Sequence, residues 1–184
     1  MRRRDGWATP GHMVGGEIST GSFDVIEALH AAHRRARTAL KLAASLGTAS
    51  ATGATAELAH AIAKTLGEDV PRHMHHEEEV LAPRLAGLHV VVDAALERMK
   101  QEHFQLHASL AQVTTLCESI ARDVSRLHAL RFSLDTAVQT LTARLAAHHS
   151  MEESIVFPAI RRLMPPRDQT DVRRELRARR RLDS

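Results

Sequence analysis

The chain has 184 residues, of which 43% are hydrophobic, and a formal net charge of +3. This length suits one compact domain, and the small net charge excludes a nucleic-acid-binding protein that relies on bulk positive charge. A single cysteine, Cys117, excludes a disulfide framework and a CxxC zinc ribbon. No apolar run reaches the ~18–20 residues that a membrane helix needs, and the N-terminus lacks the apolar stretch of a secretory signal. We therefore expect a cytoplasmic protein with neither a membrane nor a nucleic acid as partner.

Two residue types have unusual frequencies. Aromatic residues make up only 3% of the chain and tyrosine is absent, whereas there are 13 histidines. The scarcity of aromatic residues argues against a β-sandwich. The abundance of histidine indicates that some of these residues have a chemical role.

In chain order, the sequence predicts a flexible leader, four long helices and a short basic helix. Residues 1–21 are rich in glycine and lack periodicity. The helices are predicted over 22–45, with Ser22 as N-cap and Gly47 as terminator, over 54–88 with a break near Thr65–Pro71, over 91–120, and over 124–164 before Pro165 and Pro166. Long amphipathic helices with short connections predict an all-α, up-down-up-down four-helix bundle over 22–166. Residues 167–184 form an arginine-rich C-terminal helix or tail, which we interpret as a solvated face.

The sequence also contains an internal echo. Residues 73–83 read HMHHEEEVLAP and residues 148–158 read HHSMEESIVFP. The two segments share a histidine at the first place, glutamates at the fifth and sixth, and a proline at the eleventh. Another helical histidine precedes each echo, which predicts a pseudo-twofold arrangement of helices one and two with helices three and four.

Histidines and glutamates recur at a spacing of four residues, which puts both members of a pair on one helix face. Together with a histidine of the first helix, these pairs form an inward-facing set: His33, His73, Glu77, His103, His107, His148 and Glu152. Buried carboxylates are costly unless they are paired or bound to a metal. The set exceeds what one tetrahedral zinc takes, and mixed imidazole and carboxylate ligands suit iron or manganese. We predict two bridged ions.

The twofold layout assigns the predicted ligands to two ions. His33 and His73 would hold one ion, and the remaining three histidines of the set would hold the other. Glu77 and Glu152 would bridge the two. The first ion then has one protein ligand fewer, which predicts an open position for a small molecule.

These motifs resemble the hemerythrin-like, or HHE cation-binding, family, whose helix-one histidine, HxxxE motifs and helix-three histidines hold a non-heme di-iron centre. The resemblance covers approximately residues 23–180. It implies two non-heme irons with an oxo or hydroxo bridge, with manganese or zinc as substitutes. The chain differs from the family at Ala82, where an aromatic residue is common, whereas Phe157 keeps the aromatic in the second echo.

Several neighbouring residues compete for these roles. Glu153 lies five residues after His148, the spacing of the bridging aspartate in oxygen carriers, but we prefer Glu152 because it mirrors Glu77. His30 lies one turn before His33 and is an alternative ligand. The residues that we expect on solvated faces, or supporting the ligands, are His75, His76, His149, Glu78, Glu79 and Glu153. Cys117 is predicted to be buried.

The expected function is that of a non-heme di-iron protein which binds or reduces dioxygen, nitric oxide or peroxide. These molecules are the expected partners, and enzymatic consumption of peroxide or nitric oxide is left open. The alternative is a sensor or interaction module whose metal state alters helix packing. A ferritin-like oxidase ranks below these two functions because it needs ExxH on two helices and only Glu27 and His30 fit. A zinc hydrolase ranks lower still because HExxH is absent.

Overall fold

A computed structural model of the chain describes residues 24–182, and within that range it is helical and contains no strand. Its α-helices are α1 (Val25–Leu46), α2 (Gly53–Lys64), α3 (Val70–His76), α4 (Ala82–Leu85), α5 (Val90–Arg122), α6 (Leu127–Met151), α7 (Phe157–Arg162) and α8 (Pro166–Leu182). A 3₁₀ turn, Val124–Arg126, precedes α6. The predicted leader and the predicted N-cap Ser22 lie outside the described residues.

Polar side chains cap the N-termini of three of these helices. The Asp24 carboxylate accepts a hydrogen bond from the backbone N–H of Ile26 at 2.9 Å and caps α1. Thr52 and His89 accept from backbone N–H groups in the first turns of α2 and α5. Gly47 follows the end of α1, as predicted. Gly87, between α4 and α5, has a φ of 78°, a left-handed conformation that favours glycine.

Within residues 24–182, three π-helical turns interrupt the long helices, and each lies just before a proline. The turns are Thr65–Asp69, Glu77–Leu81 and Glu152–Val156, and the prolines are Pro71, Pro83 and Pro158. Proline lacks an N–H group and its ring clashes with the carbonyl four residues earlier, so a wider preceding turn relieves the clash. The predicted break near Thr65–Pro71 is confirmed as the first of these turns.

The two echo segments adopt the same backbone. In the first, the N–H of Ala82 donates to the carbonyl of Glu77, and in the second the N–H of Phe157 donates to the carbonyl of Glu152. Each of these glutamates therefore begins a π turn, while the histidine four residues earlier stays in the preceding α-helix. π turns inside α-helices are frequent at functional sites.

Four long helical segments pack together: α1, the run from α2 to α4, α5, and the run from α6 to α7. Segment α1 contacts α2 and α6, and α5 contacts the same two helices. Their apolar side chains form two separate clusters, one including Leu40, Leu110 and Leu141 and the other including Leu29, Leu85 and Leu96. Along each long segment, one predicted site residue lies between the part that joins one cluster and the part that joins the other: His33, Glu77, His103 and His148.

Helix α8 packs onto the second apolar cluster. Val172 and Leu176 are buried in it, and Glu175 forms an ion pair with Arg84 of α4. The arginine-rich segment is therefore attached to the bundle on one face, whereas sequence analysis predicted only a solvated face.

Within residues 24–182, none of the helices combines the length and the apolar character that crossing a membrane requires.

Candidate metal centre

A buried polar layer separates the two apolar clusters of the bundle. It consists of His33 from α1, His73 and Glu77 from the second helical segment, His103 from α5, and His148 and Glu152 from the fourth. His73 is 13% exposed at its side chain and the other five residues are essentially inaccessible to solvent. Six of the seven predicted site residues thus come together in one layer.

The donor atoms of the layer fall into two groups that share a glutamate. In the first group, the donor atoms of His33, His73 and Glu77 lie within 4.8 Å of one another. In the second group, the same holds for Glu77, His103, His148 and Glu152.

The individual distances show how the two groups are linked. One Oε of Glu77 is 3.3 Å from Nε2 of His73, and its other Oε is 3.6 Å from Nε2 of His103. Glu152 has the corresponding position on the other side: its carboxylate oxygens are 3.2 Å from Nε2 of His33 and 3.3 Å from Nε2 of His148. Each carboxylate therefore reaches one histidine of each half, as a bridging ligand must.

The arrangement of these donor atoms is better suited to binding a metal than to hydrogen bonding among themselves. Buried atoms without a hydrogen-bond partner include Nε2 of His33 and His73 and both carboxylate oxygens of Glu77 and Glu152. Buried polar atoms are almost always hydrogen-bonded, and an orphaned group costs about 1–3 kcal/mol or more when it is charged. In addition, Nε2 of His103 and Nε2 of His148 lie 3.0 Å apart, the separation of two nitrogens that each lie ~2.1 Å from one ion at a right angle.

The outer nitrogens of three of these histidines contact carboxylates. Nδ1 of His33 is 2.8 Å from Glu153 and Nδ1 of His103 is 2.6 Å from Glu78. These two glutamates occupy equivalent places in the two echoes, and each supports a histidine of the opposite half. A carboxylate in this position fixes the ring and directs Nε2 toward the metal.

A third carboxylate also contacts the outer nitrogen of a histidine of the layer. Nδ1 of His148 is 3.0 Å from Glu102 on α5. Arginines in turn hold two of the outer carboxylates: Arg37 contacts Glu153 at 2.8 Å and Arg98 contacts Glu102 at 2.7 Å. Burial raises the pKa of Glu102, but hydrogen bonds from Arg98 and His148 outweigh it and lower the pKa overall.

Without a metal, charged side chains are electrostatically unfavourable in the buried polar layer. Burial, reinforced by neighbouring Glu152, raises the pKa of Glu77 well above its usual range. Burial and the neighbouring histidines lower the pKa of His73 well below its usual value. The pKa of His103 is lowered by burial and by His148, against the opposing effect of Glu78. The layer therefore favours neutral forms, and a cation would restore the charge on the carboxylates.

His107 does not join the layer, and the prediction that it faces the site is wrong. It is exposed on α5. A stripe of buried residues on α5 follows alternating steps of three and four: Leu96, Met99, His103, Leu106, Leu110, Val113, Cys117 and Ile120. After His103 the inward stripe steps three residues to Leu106, so His107 lies beside it. This is the pattern of a helix that packs along a heptad seam.

Without His107, the two halves contribute equally. Each donor group contains two histidines, and both have access to the same two glutamates. The prediction that the ion beside His33 and His73 has one protein ligand fewer than the other, and therefore an open position, depended on His107 and loses its basis.

Several residues near the layer are exposed or support its histidines, as the sequence predicted. His75 and Glu79 are exposed, and Glu78 and Glu153 support histidines. His30 is partly exposed, and its Nδ1 is 3.7 Å from Glu153 on the outer side of His33. It belongs to a separate donor group with His33 and Glu153.

Sequence analysis did not identify Glu102 and gave His149 no specific role. Glu102 directly precedes His103, and that adjacency to a predicted ligand was the only available signal. His149 is 2% exposed, and its ring stacks on that of His33 with centroids 3.7 Å apart and an angle of 16°. Cys117 is buried, as predicted, and burial raises the pKa of its thiol to about 12.

Comparison with known proteins gives one result that agrees with this geometry. Comparisons with curated proteins and with solved structures found no match. The family description "Hemerythrin HHE cation binding domain" matches residues 24–160. This range contains all six residues of the buried layer and most of the helical bundle, and it ends before α8. The chain belongs to the hemerythrin HHE cation-binding domain family.

Proposed function

We propose that the chain binds two iron ions in the buried layer and uses them to bind or reduce a small oxidant, namely dioxygen, nitric oxide or peroxide. The observation that carries this proposal is the convergence of four imidazoles and two carboxylates whose inner atoms largely lack hydrogen-bond partners. Membership of a cation-binding family supports metal binding in general. Mixed imidazole and carboxylate donors favour iron, with manganese or zinc as substitutes.

The shared donor atoms suggest how two ions would be held. His33 and His73 would hold one ion, and His103 and His148 the other. Glu77 and Glu152 would bridge them, because each carboxylate lies within 4.0 Å of a histidine from both halves. This ligand set provides four protein donors for each ion, which leaves positions for a small molecule on an ion that prefers six.

When bound, such an iron pair would supply the electrons that reduce an oxidant or the vacant positions that bind one. The protein would supply the surroundings. The apolar clusters on both sides of the layer limit the entry of water. The outer carboxylates Glu78, Glu102 and Glu153 hold the histidine rings in place. No tyrosine is present in the chain to act as a ligand or to form a radical.

We also propose that the four long segments run up-down-up-down. The short connections after α1, α4 and α5 support this arrangement, because antiparallel neighbours need only short loops. The pairing of His103 with His148 across α5 and α6 is consistent with it.

Metal analysis of the purified protein tests the proposed function. After expression in iron-replete cells, the chain should contain about two irons, and the aerobic protein should show the near-UV charge-transfer bands of a bridged ferric pair. The spectrum should then change on titration with peroxide or nitric oxide. A single tightly bound zinc without iron would contradict the proposal.

A further inference from the structure

A cleft opens on the surface of the bundle between α1 and α2. Its volume is about 440 Å³, which lies within the ~300–1,000 Å³ range of small-molecule sites. Its lining comes from α1, the end of α2 and the first residue of the π turn that follows α2. None of the residues of the buried polar layer belongs to this lining, so the cleft is a separate feature of the molecule.

Small apolar residues make room for the cleft. Ala31 and Ala39 of α1 and Ala61 of α2 line it, and their short side chains leave space that larger residues would fill. Ala39 and Ile62 are buried beneath it, and Leu42 is 40% exposed beside it. Most of the lining is therefore apolar, which favours an aliphatic group over water.

The charge of the cleft has a single sign. Among the described residues that line it, the only charged ones are the adjacent Arg34 and Arg35 of α1. Arg34 also forms an ion pair at 2.6 Å with Glu27, which lies outside the lining. From Arg34 to the end of α1 the sequence contains no acidic residue and adds Arg37 and Lys41. This side of the cleft is therefore electropositive and favours an anion.

The charged and apolar parts of the cleft lie at different places along α1. Arg35 precedes Leu42 by seven residues, a distance of about 10 Å along the helix axis. Guanidinium groups present paired N–H donors that match the geometry of a carboxylate. A molecule with a carboxylate head and an aliphatic tail would therefore place its head at the arginines and its tail along the alanines toward Leu42.

We propose that the cleft between α1 and α2 binds a free aliphatic carboxylate, a fatty acid of medium chain length. This site does not depend on the proposed function, because it shares no residue with the buried layer. Helix α1 contributes to both sites through different faces: His33 is buried, whereas the neighbouring Arg34 and Arg35 are exposed.

Calorimetric titration of the full chain with decanoate, below the concentration at which decanoate aggregates, tests the apolar part of the site. The wild type should bind decanoate at a single site. Ala61→Phe puts a ring into the cleft from an exposed position and should weaken binding by at least about 10-fold. Ala111→Phe adds the same ring at an exposed position of α5 outside the lining and should leave the affinity unchanged.

Decylammonium, which has the same chain length and the opposite charge, tests the charged part. The wild type should bind it at least about 10-fold more weakly than decanoate. Combining Arg34→Gln with Arg35→Gln should weaken decanoate binding by about 10-fold and abolish this preference, because the amides keep N–H donors without a charge. Arg122→Gln, at an exposed arginine at the end of α5, is the control and should keep both affinities.

Thermal melting shows whether each variant folds. If Ala61→Phe does not fold, Leu42→Glu takes its place: this change puts a carboxylate at the apolar end from an exposed position and should weaken decanoate binding to the same degree. The proposal is overturned if the wild type does not bind decanoate, if the cleft variants bind it as the wild type does, or if both probes bind equally. Binding only above the aggregation concentration would also overturn it, because the chain would then recognise a micelle or a lipid surface rather than a free fatty acid.

Discussion

Adjacent glutamates in the second echo have different tasks. Glu152 is fully buried and its carboxylate faces Nε2 of His33 and His148, whereas Glu153 is 29% exposed and contacts the outer Nδ1 of His33. A rotation of about 100° between successive helical residues separates the carboxylate that faces the inner histidine nitrogens from the one that faces an outer nitrogen. The same division holds for Glu77 and Glu78 in the first echo.

Substitutions of the two adjacent glutamates should affect iron binding to different degrees. Glu152→Ala removes a bridge and should leave well under two irons per chain. Glu153→Ala removes an outer support, so we expect both irons at saturation but an affinity about 10- to 100-fold lower. His107→Ala, an exposed control on α5, should behave like the wild type. Iron per chain and the near-UV spectrum measure all three, and loss of iron from the His107 variant alone would contradict the assignment.

The stability of the metal-free chain should depend on pH through the buried groups. The pKa values of His73, His103 and His149 are lowered in the folded state, so their contribution to stability is present above about pH 6.5 and is lost as the pH falls. The pKa of Glu77 is raised, so its contribution is lost as the pH rises. Between pH 5 and pH 7, the combined effect of the three histidines on stability is larger than the opposite effect of the one glutamate.

We therefore expect the free energy of unfolding of the metal-free chain to rise from pH 5 to pH 7, by about 1–3 kcal/mol per pH unit at most. Above neutral pH the histidines are neutral in both states, and the glutamate should make stability fall. Urea unfolding at several pH values measures this curve. A curve that falls from pH 5 to pH 7 would show that the imidazoles are not buried.

At the scale of helices and turns, backbone conformation gives a direct prediction. Gly87 has a φ of 78°, and its substitution by alanine forces a side chain into a left-handed conformation. Gly87→Ala should lower the free energy of unfolding by about 1–2 kcal/mol. The control is Gly53→Ala at the start of α2, where an added Cβ meets nothing within 4 Å, and this change should be neutral or stabilise by up to ~1 kcal/mol. Denaturant unfolding compares the two, and equal effects would contradict the turn geometry.

The helices show which parts of the site could be predicted from sequence. A spacing of four residues correctly grouped His73 with Glu77 and His148 with Glu152, because both members belong to one segment. It failed for His107, because residues three and four positions after His103 lie on nearly the same face. Only the packing of α5 against its neighbours selects Leu106. Glu102 escaped detection because its partner, His148, lies on another helix and no local pattern connects them.

At the scale of the whole molecule, the polar layer divides one bundle into two apolar clusters. Sequence periodicity predicted a helical bundle with an inward-facing set of ligands, but it could not show that the set lies between two separate cores. The three π turns also escaped full prediction, since only the break near Pro71 was expected. Whether a proline breaks a helix or widens the turn before it depends on the tertiary contacts that hold the segment together.

Removal of the metal should destabilise the whole bundle, because metal binding free energy is partly folding free energy. The metal-free chain should melt at a clearly lower temperature than the loaded chain, with a larger difference at pH 8 than at pH 6, because the raised pKa of Glu77 makes its ionisation costly. Thermal melting with and without iron measures the difference. Identical melting curves would contradict the proposed burial of the ligands under the two clusters.

Two variants identify the source of this effect. Glu77→Gln removes the buried carboxylate and should stabilise the metal-free chain at pH 8 while abolishing the benefit of iron. Glu79→Gln changes an exposed glutamate two residues along and should alter neither melting curve.

In the proposed centre, two metal ions lie in the buried layer between Glu77 and Glu152. A crystal structure of the iron-loaded chain, with an anomalous difference map at the iron edge, would locate them. We expect two peaks, one beside His33 and His73 and the other beside His103 and His148, with both glutamates between them. A single peak, or a peak on the outer side of His33 between His30 and Glu153, would contradict it.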